Sequence, residues 1–166
     1  MALQHEIARR RPFELPQQEA WLNLRRTAAA LGEPFDRLFR EHGLREATYN
    51  VLRILRGVHR EPEVGRRGLR CGEISRRMVT RAADVTRLVD RLERDGLVVR
   101  RRDEADRRRA LVHVTDAGLE RLAAIDEPLE RLHREQLAHL TPEDLAVLND
   151  LLVRARRGAT SADAPA

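Results

Sequence analysis

Apolar positions in this chain follow two spacings, and the change from one to the other outlines its elements. From Pro16 onward, Leu24, Ala28, Leu31, Phe35 and Leu38 step by four, three, four and three residues, which puts them on one face of an α-helix. Pro16 suits the first turn, where a helix leaves its N–H groups unbonded. Pro34 falls inside the stripe and is expected to kink or split the helix, and Gly43 suits its C′ stop. A second helix is predicted from about Arg45 to Val58, burying Val51, Leu52, Ile54, Leu55 and Val58. The segment 59–68, HREPEVGRRG, is polar and rich in Gly and Pro, and predicts a loop.

A short helix over about 72–78, with Ile74 and Met78 inward, is followed by a turn at 79–81. The next helix, about 82–95, carries Val85, Leu88, Val89 and Leu92 on one face and ends at Gly96. Two short helices across a tight turn form a helix-turn-helix. The spacing then changes: Leu97-Val98-Val99 and Leu111-Val112-His113-Val114 flank a charged tip at 101–109, which predicts a β-hairpin. Placed directly after the second helix, that hairpin is a wing.

Thr115-Asp116 caps a long helix over about 116–138, with Leu119, Leu122, Ile125 or Ala124, Leu129 and Leu132 inward and a bend at Pro128. Thr141-Pro142-Glu143-Asp144 combines an N-cap, a first-turn Pro and acids near the helix start. The last helix runs to about Arg157, with Leu145, Leu148, Leu151 and Leu152 inward. The predicted fold is mainly α with a small β-wing. It comprises a flexible N-terminus (1–14), a winged helix-turn-helix (44–115), a helical dimerisation region from the N- and C-terminal helices (15–43 and 116–157) and a disordered tail (158–166). The outer helices have apolar stripes and no sheet to cover them. A monomeric bundle would cover them, and so would the same helices of a second copy. A helix-turn-helix usually works in pairs on two half-sites, so a two-fold homodimer is expected.

Charge adds a location. The chain has 32 basic and 27 acidic residues, net +5, and every basic residue is Arg. All-Arg usage has a bland source in GC-rich codons and carries no mechanistic weight by itself. The window 66–109 holds 15 Arg and eight acids, net +7, so the remainder is −2. A focused basic zone is either a solvated surface or the footprint of a polyanion. The window has no aromatic residue on which unpaired bases would stack, which favours duplex DNA over single strands or RNA.

Other classes are excluded in turn. The single Cys rules out a disulfide scaffold and fits a reducing cytosol. No apolar run approaches the ~20 residues of a membrane span, and the first residues lack a secretory apolar stretch, so a cytoplasmic protein with no membrane partner is expected. His5, His42, His59, His113, His133 and His139 show no metal-ligand spacing. There is no phosphate loop or nucleophile elbow. Neither enzyme activity nor a metal or other cofactor is expected.

With Val85, Leu88 and Leu92 inward, the outward positions of the second helix are Arg81, Ala82, Asp84, Thr86, Arg87 and Arg91. Its N-terminal residues lead into the major groove. There Arg can make two bonds to a guanine edge, and Thr can bond a base or phosphate. The alternatives for each Arg are a phosphate contact or an intrahelical pair, Arg87 with Asp84 or Asp90 and Arg91 with Asp84 or Asp95. On the wing, Arg107, Arg108 and Arg109 lie beside Asp103 and Asp106, and one of them can enter a narrowed minor groove. Trp21 and Tyr49 are candidates for a small-molecule pocket, with ordinary core packing as the alternative. Cys71, at the start of a helix beside Arg70, is read as structural rather than redox-active.

Four stretches together resemble the MarR family (multiple antibiotic resistance regulator) of winged helix-turn-helix transcription factors: TYNVLRIL (48–55), EISRRM (73–78), DVTRLVDRLERDGLVVRR (84–101) and DEADRRRALVHVTDAGLE (103–120). The resemblance covers roughly 20–157. It implies a homodimer on a palindromic operator, the segment 82–95 as recognition helix and Arg108 as the Arg entering the minor groove. It also implies a repressor that releases DNA when a small, often phenolic or anionic, ligand binds. Ala82 and Ala83 stand where polar residues are common, and Arg45 stands where a capping Thr or Ser is common. The rival readings are a helical protein–protein adaptor and a nonspecific architectural DNA-binding protein.

Overall fold

The computed structural model describes residues 3–61, 68–80, 84–103 and 109–161. The described helices are α1 (Leu3–Glu6), α2 (Pro16–Glu41), α3 (Glu46–His59), α4 (Cys71–Arg77), α5 (Val85–Arg94), α6 (Asp116–Gln136) and α7 (Pro142–Ser161). Strands β1 (Val98–Arg102) and β2 (Ala110–Val114) lie between α5 and α6. The chain divides into two compact units, 1–129 and 130–166.

The first unit is built around α3, whose Val51, Leu52, Ile54, Leu55 and Val58 are all buried. They join Ile74 of α4, Val85, Val89 and Leu92 of α5, Val112 and Val114 of β2, and Leu122 and Ile125 of α6 in one apolar cluster. Arg45 has no capping side chain, but Thr48 compensates: its hydroxyl accepts from the Arg45 N–H at 2.9 Å and donates to the Arg45 carbonyl at 2.8 Å. β1 and β2 pair antiparallel, Val98 opposite Val114 and Arg102 opposite Ala110. Leu69 extends this ladder beside Val112, its N–H donating at 3.1 Å and its carbonyl accepting at 2.8 Å. One apolar residue between Gly68 and Arg70 shows no alternation, so nothing in the sequence predicts a strand there. Gly68 is required at that approach, with φ +73° and the His113 ring 2.6 Å from where a Cβ would stand.

Neither proline ends its helix, so the split considered at Pro34 does not occur. α2 runs unbroken through Pro34, and α6 through Pro128. Each Pro removes one backbone bond, and Phe35, Leu38 and Phe39, just beyond Pro34, pack on the core. The stretch expected to be flexible opens with α1, where Leu3 is buried and Glu6 pairs with Arg26 at 3.0 Å.

Burial shows how far a single chain covers the outer helices. Leu24 on α2 is 45% exposed, and in the second unit Leu148 and Leu151 of α7 are 38% and 50% exposed. Phe35 and Leu38 of the α2 stripe pack on the core, whereas Leu24, Leu148 and Leu151 are left open within one chain.

Candidate nucleic-acid interface

α4 and α5 stand as the two helices of a helix-turn-helix. The Glu73 carboxylate accepts from the Arg70 N–H at 2.9 Å and closes the first turn of α4. Ile74 is fully buried and Met78 half-buried against the core. α5 buries Val85, Val89 and Leu92, leaving Thr86, Arg87, Asp90, Arg91 and Arg94 outward.

The predicted contact residues have distinct local roles. Asp84 caps α5: its carboxylate accepts from the Arg87 N–H at 3.1 Å and pairs with the Arg87 guanidinium at 3.0 Å. It therefore belongs to the helix end first and to the outward face second. The Arg87 side chain is nonetheless 86% exposed, and so exposed a pair contributes little to stability. Arg91 lies 3.8 Å from Asp95. Of the intrahelical pairs weighed from the sequence, Arg87 takes Asp84 and Arg91 takes Asp95, while Asp90 turns to Arg100, and both guanidinium groups remain on the solvent side. Arg81 and Ala82, and Arg107 and Arg108 of the wing, lie outside the described residues. Arg109 is exposed at the foot of β2, where its carbonyl accepts from the Asp103 N–H at 3.0 Å. Arg101 and Arg102 add two exposed cations on β1.

Two tethers escaped the sequence reading. Asp103, expected at the exposed tip, is buried and faces the Arg70 guanidinium at 3.7 Å, linking the far end of β1 to the start of α4. Arg100 bonds Asp90 and Glu93 of α5, each at 2.5 Å. Burial works against the charge of Arg100, but the hydrogen bonds it donates to Asp90 and Glu93 outweigh that and raise its pKa above the ordinary guanidinium value. The signal for Arg100 was its register: residues opposite one another share a sheet face, and Arg100 lies opposite fully buried Val112.

Trp21 and Tyr49 occupy different surroundings. Trp21 is 58% exposed, with the Arg25 guanidinium 5.6 Å from its ring centre. Tyr49 is buried and stacks on Phe39 at 4.4 Å. Nearby, Arg56 bonds Asp126 at 2.7 Å. Burial pushes the Tyr49 phenol up, against the opposing pull of Arg56 and Arg53. The folded protein therefore keeps a proton that the unfolded chain releases near pH ~10. The associated stability is complete below about pH 10 and is lost as pH rises through the folded value. Tyr49→Phe is expected to flatten that alkaline limb in urea midpoints measured against pH. An equally steep limb in the variant would contradict this assignment. Among the described residues, no group of three or more His, Cys, Asp or Glu could hold a metal ion, and no helix is long and apolar enough to cross a membrane.

A sequence model of the MarR family matches residues 47–109, from α3 to the wing. The HTH-type transcriptional regulator YkoM of Bacillus subtilis is 30% identical over 150 residues, 86% of this chain and 90% of YkoM. Another curated relative is matched over only about half its length, 51%. Among solved structures, a MarR transcription factor from Planctomyces limnophilus is 38% identical, with a TM-score of 0.62 over 85% of this chain and 98% of that one. The PcaV transcriptional regulator of Streptomyces coelicolor, crystallised in complex with its natural ligand, is 29% identical, with a TM-score of 0.63 over 80% and 91% of the two chains. The winged helix-turn-helix, its basic outward face and these likenesses agree: the chain belongs to the MarR family of DNA-binding transcriptional regulators.

Proposed function

We propose that the protein is a cytoplasmic homodimeric repressor that reads a palindromic operator and releases it when a small molecule binds. The observation that carries the DNA part is Arg87: it stands in the first turn of α5, 86% exposed, on a helix whose opposite face is locked into the core. A two-fold dimer built from α2, α6 and α7 would cover the apolar positions left open on α2 and α7. It would also set two copies of α5 about 34 Å apart, one turn of duplex. Arg81, Ala82, Asp84, Thr86, Arg87 and Arg91 form the recognition surface in this reading, and Arg107, Arg108 and Arg109 the wing contacts.

The effector reading rests on the kinship with PcaV, which was crystallised with its natural ligand. Trp21 and Tyr49 are the proposed lining. Selection of bound fragments from genomic DNA tests the first half, and a screen for compounds that release the selected duplex tests the second. A nonspecific architectural protein would enrich no palindrome. Arg108→Ala is expected to weaken operator binding while leaving the urea midpoint unchanged. Parental affinity in that variant would remove Arg108 from the wing contact.

A further inference from the structure

α5 is held by more than its apolar face. On a second side, Thr86, Asp90 and Glu93 form a stripe with spacings of four and three residues, and one residue of β1 meets all three. The Arg100 N–H donates to Glu93 Oε1 at 2.9 Å. Its guanidinium donates to Glu93 Oε2 and Asp90 Oδ1 at 2.5 Å each, and reaches the Thr86 carbonyl at 3.4 Å. The Arg100 side chain is 24% exposed, against 86% for Arg87. Apolar packing is non-directional and lets a helix roll or slide by small amounts. Charge-assisted bonds from one planar fork to successive turns do not.

We propose that Arg100 is a positioning residue for operator recognition: it fixes the angle and register of α5 against the wing, so that both reach their grooves together, and does so without touching DNA. The inference rests on the DNA-reading role of α5. It also separates geometry from charge. Asp90 sits on the outward side of α5, so neutralising it removes a negative charge near the phosphates. On charge alone, Asp90→Asn binds every duplex more tightly. If Asp90 is instead half of the clamp, Asp90→Asn loses selectivity.

The test uses the full chain, a duplex enriched from a random library by the parental protein, and a scrambled duplex of the same composition. Arg100→Met and Asp90→Asn are each expected to lower the ratio of enriched to scrambled affinity roughly tenfold, with the salt slope unchanged. Arg100→Lys, which keeps the charge but not the fork, is expected to recover part of that ratio. In free Asp90→Asn protein, which retains Arg100 and its bonds to Glu93, amide exchange is expected to quicken in α5 and β1 and to stay parental in α6. Tighter binding of both duplexes by Asp90→Asn overturns the proposal. So does an equal loss on both duplexes in Arg100→Met with a shallower salt slope, the mark of a direct phosphate contact. Failure of the parental protein to enrich any duplex strikes at the DNA-reading role instead. The clamp is then judged by amide exchange, and parental exchange in α5 and β1 overturns it.

Discussion

Gly118→Ala is expected to destabilise the protein by about 2 kcal/mol, although alanine is the better helix former by about 1 kcal/mol. Gly118 lies in the first turn of α6, where its N–H donates to the Thr115 hydroxyl at 3.1 Å. That hydroxyl in turn donates to the Gly96 carbonyl at 2.8 Å, tying the start of α6 to the turn that follows α5. A Cβ on Gly118 would overlap the Leu97 carbonyl oxygen and lie 2.8 Å from Val114 Cγ2. Leu97 is itself held, since its carbonyl accepts from the Thr115 N–H at 3.1 Å. The obstacle is therefore backbone that cannot swing aside, and overpacking of this kind costs about 1–3 kcal/mol or more. Urea unfolding should show the midpoint fall. A rise would mean that helix propensity governs the site and the close approach is soft.

Arg87→Ala is expected to reduce operator affinity by about 5- to 150-fold, the range for one good two-bond Arg contact of about 1–3 kcal/mol. The fold should be untouched, because the Asp84 cap is made to the backbone N–H of residue 87, not to its side chain. Removing the guanidinium also leaves the Asp84 carboxylate without its ion pair at the N-terminal end of α5. Arg87→Lys should regain affinity for scrambled duplex but not discrimination, since a point charge can follow phosphate without matching a guanine edge. Equal losses on operator and scrambled duplexes for Arg87→Ala would make this residue a phosphate contact.

The parts legible in the sequence were those with a repeating signature. α3, the two helices of the helix-turn-helix and the hairpin all carry a clear period, and Gly96 marks where one gives way to the other. Leu69 was not legible because a single bridging residue has no period. Arg100 and Asp103 were not legible because both lie in charged runs that look solvated. Their burial depends on β1 register against β2, which is set by partners far along the chain. Asp84 was read as outward, which it is, but its first task is the helix cap. The stripes of α2 and α7 were read as inward. Spacing shows that an apolar face exists, and only a partner surface decides what covers it. The basic window was legible as a location: the exposed Arg87, Arg91, Arg101 and Arg102 all lie within 66–109.

The most direct test of sequence-specific duplex binding is operator affinity measured against salt, alongside a scrambled duplex of equal length. Arg contacts to phosphate release counterions, so log affinity should fall linearly with log salt at a slope of about −5 or steeper, the value for about six neutralised phosphates. The operator should stay at least about a thousandfold tighter than the scrambled duplex at physiological salt. A flat response, or equal affinity for the two duplexes, would contradict the account.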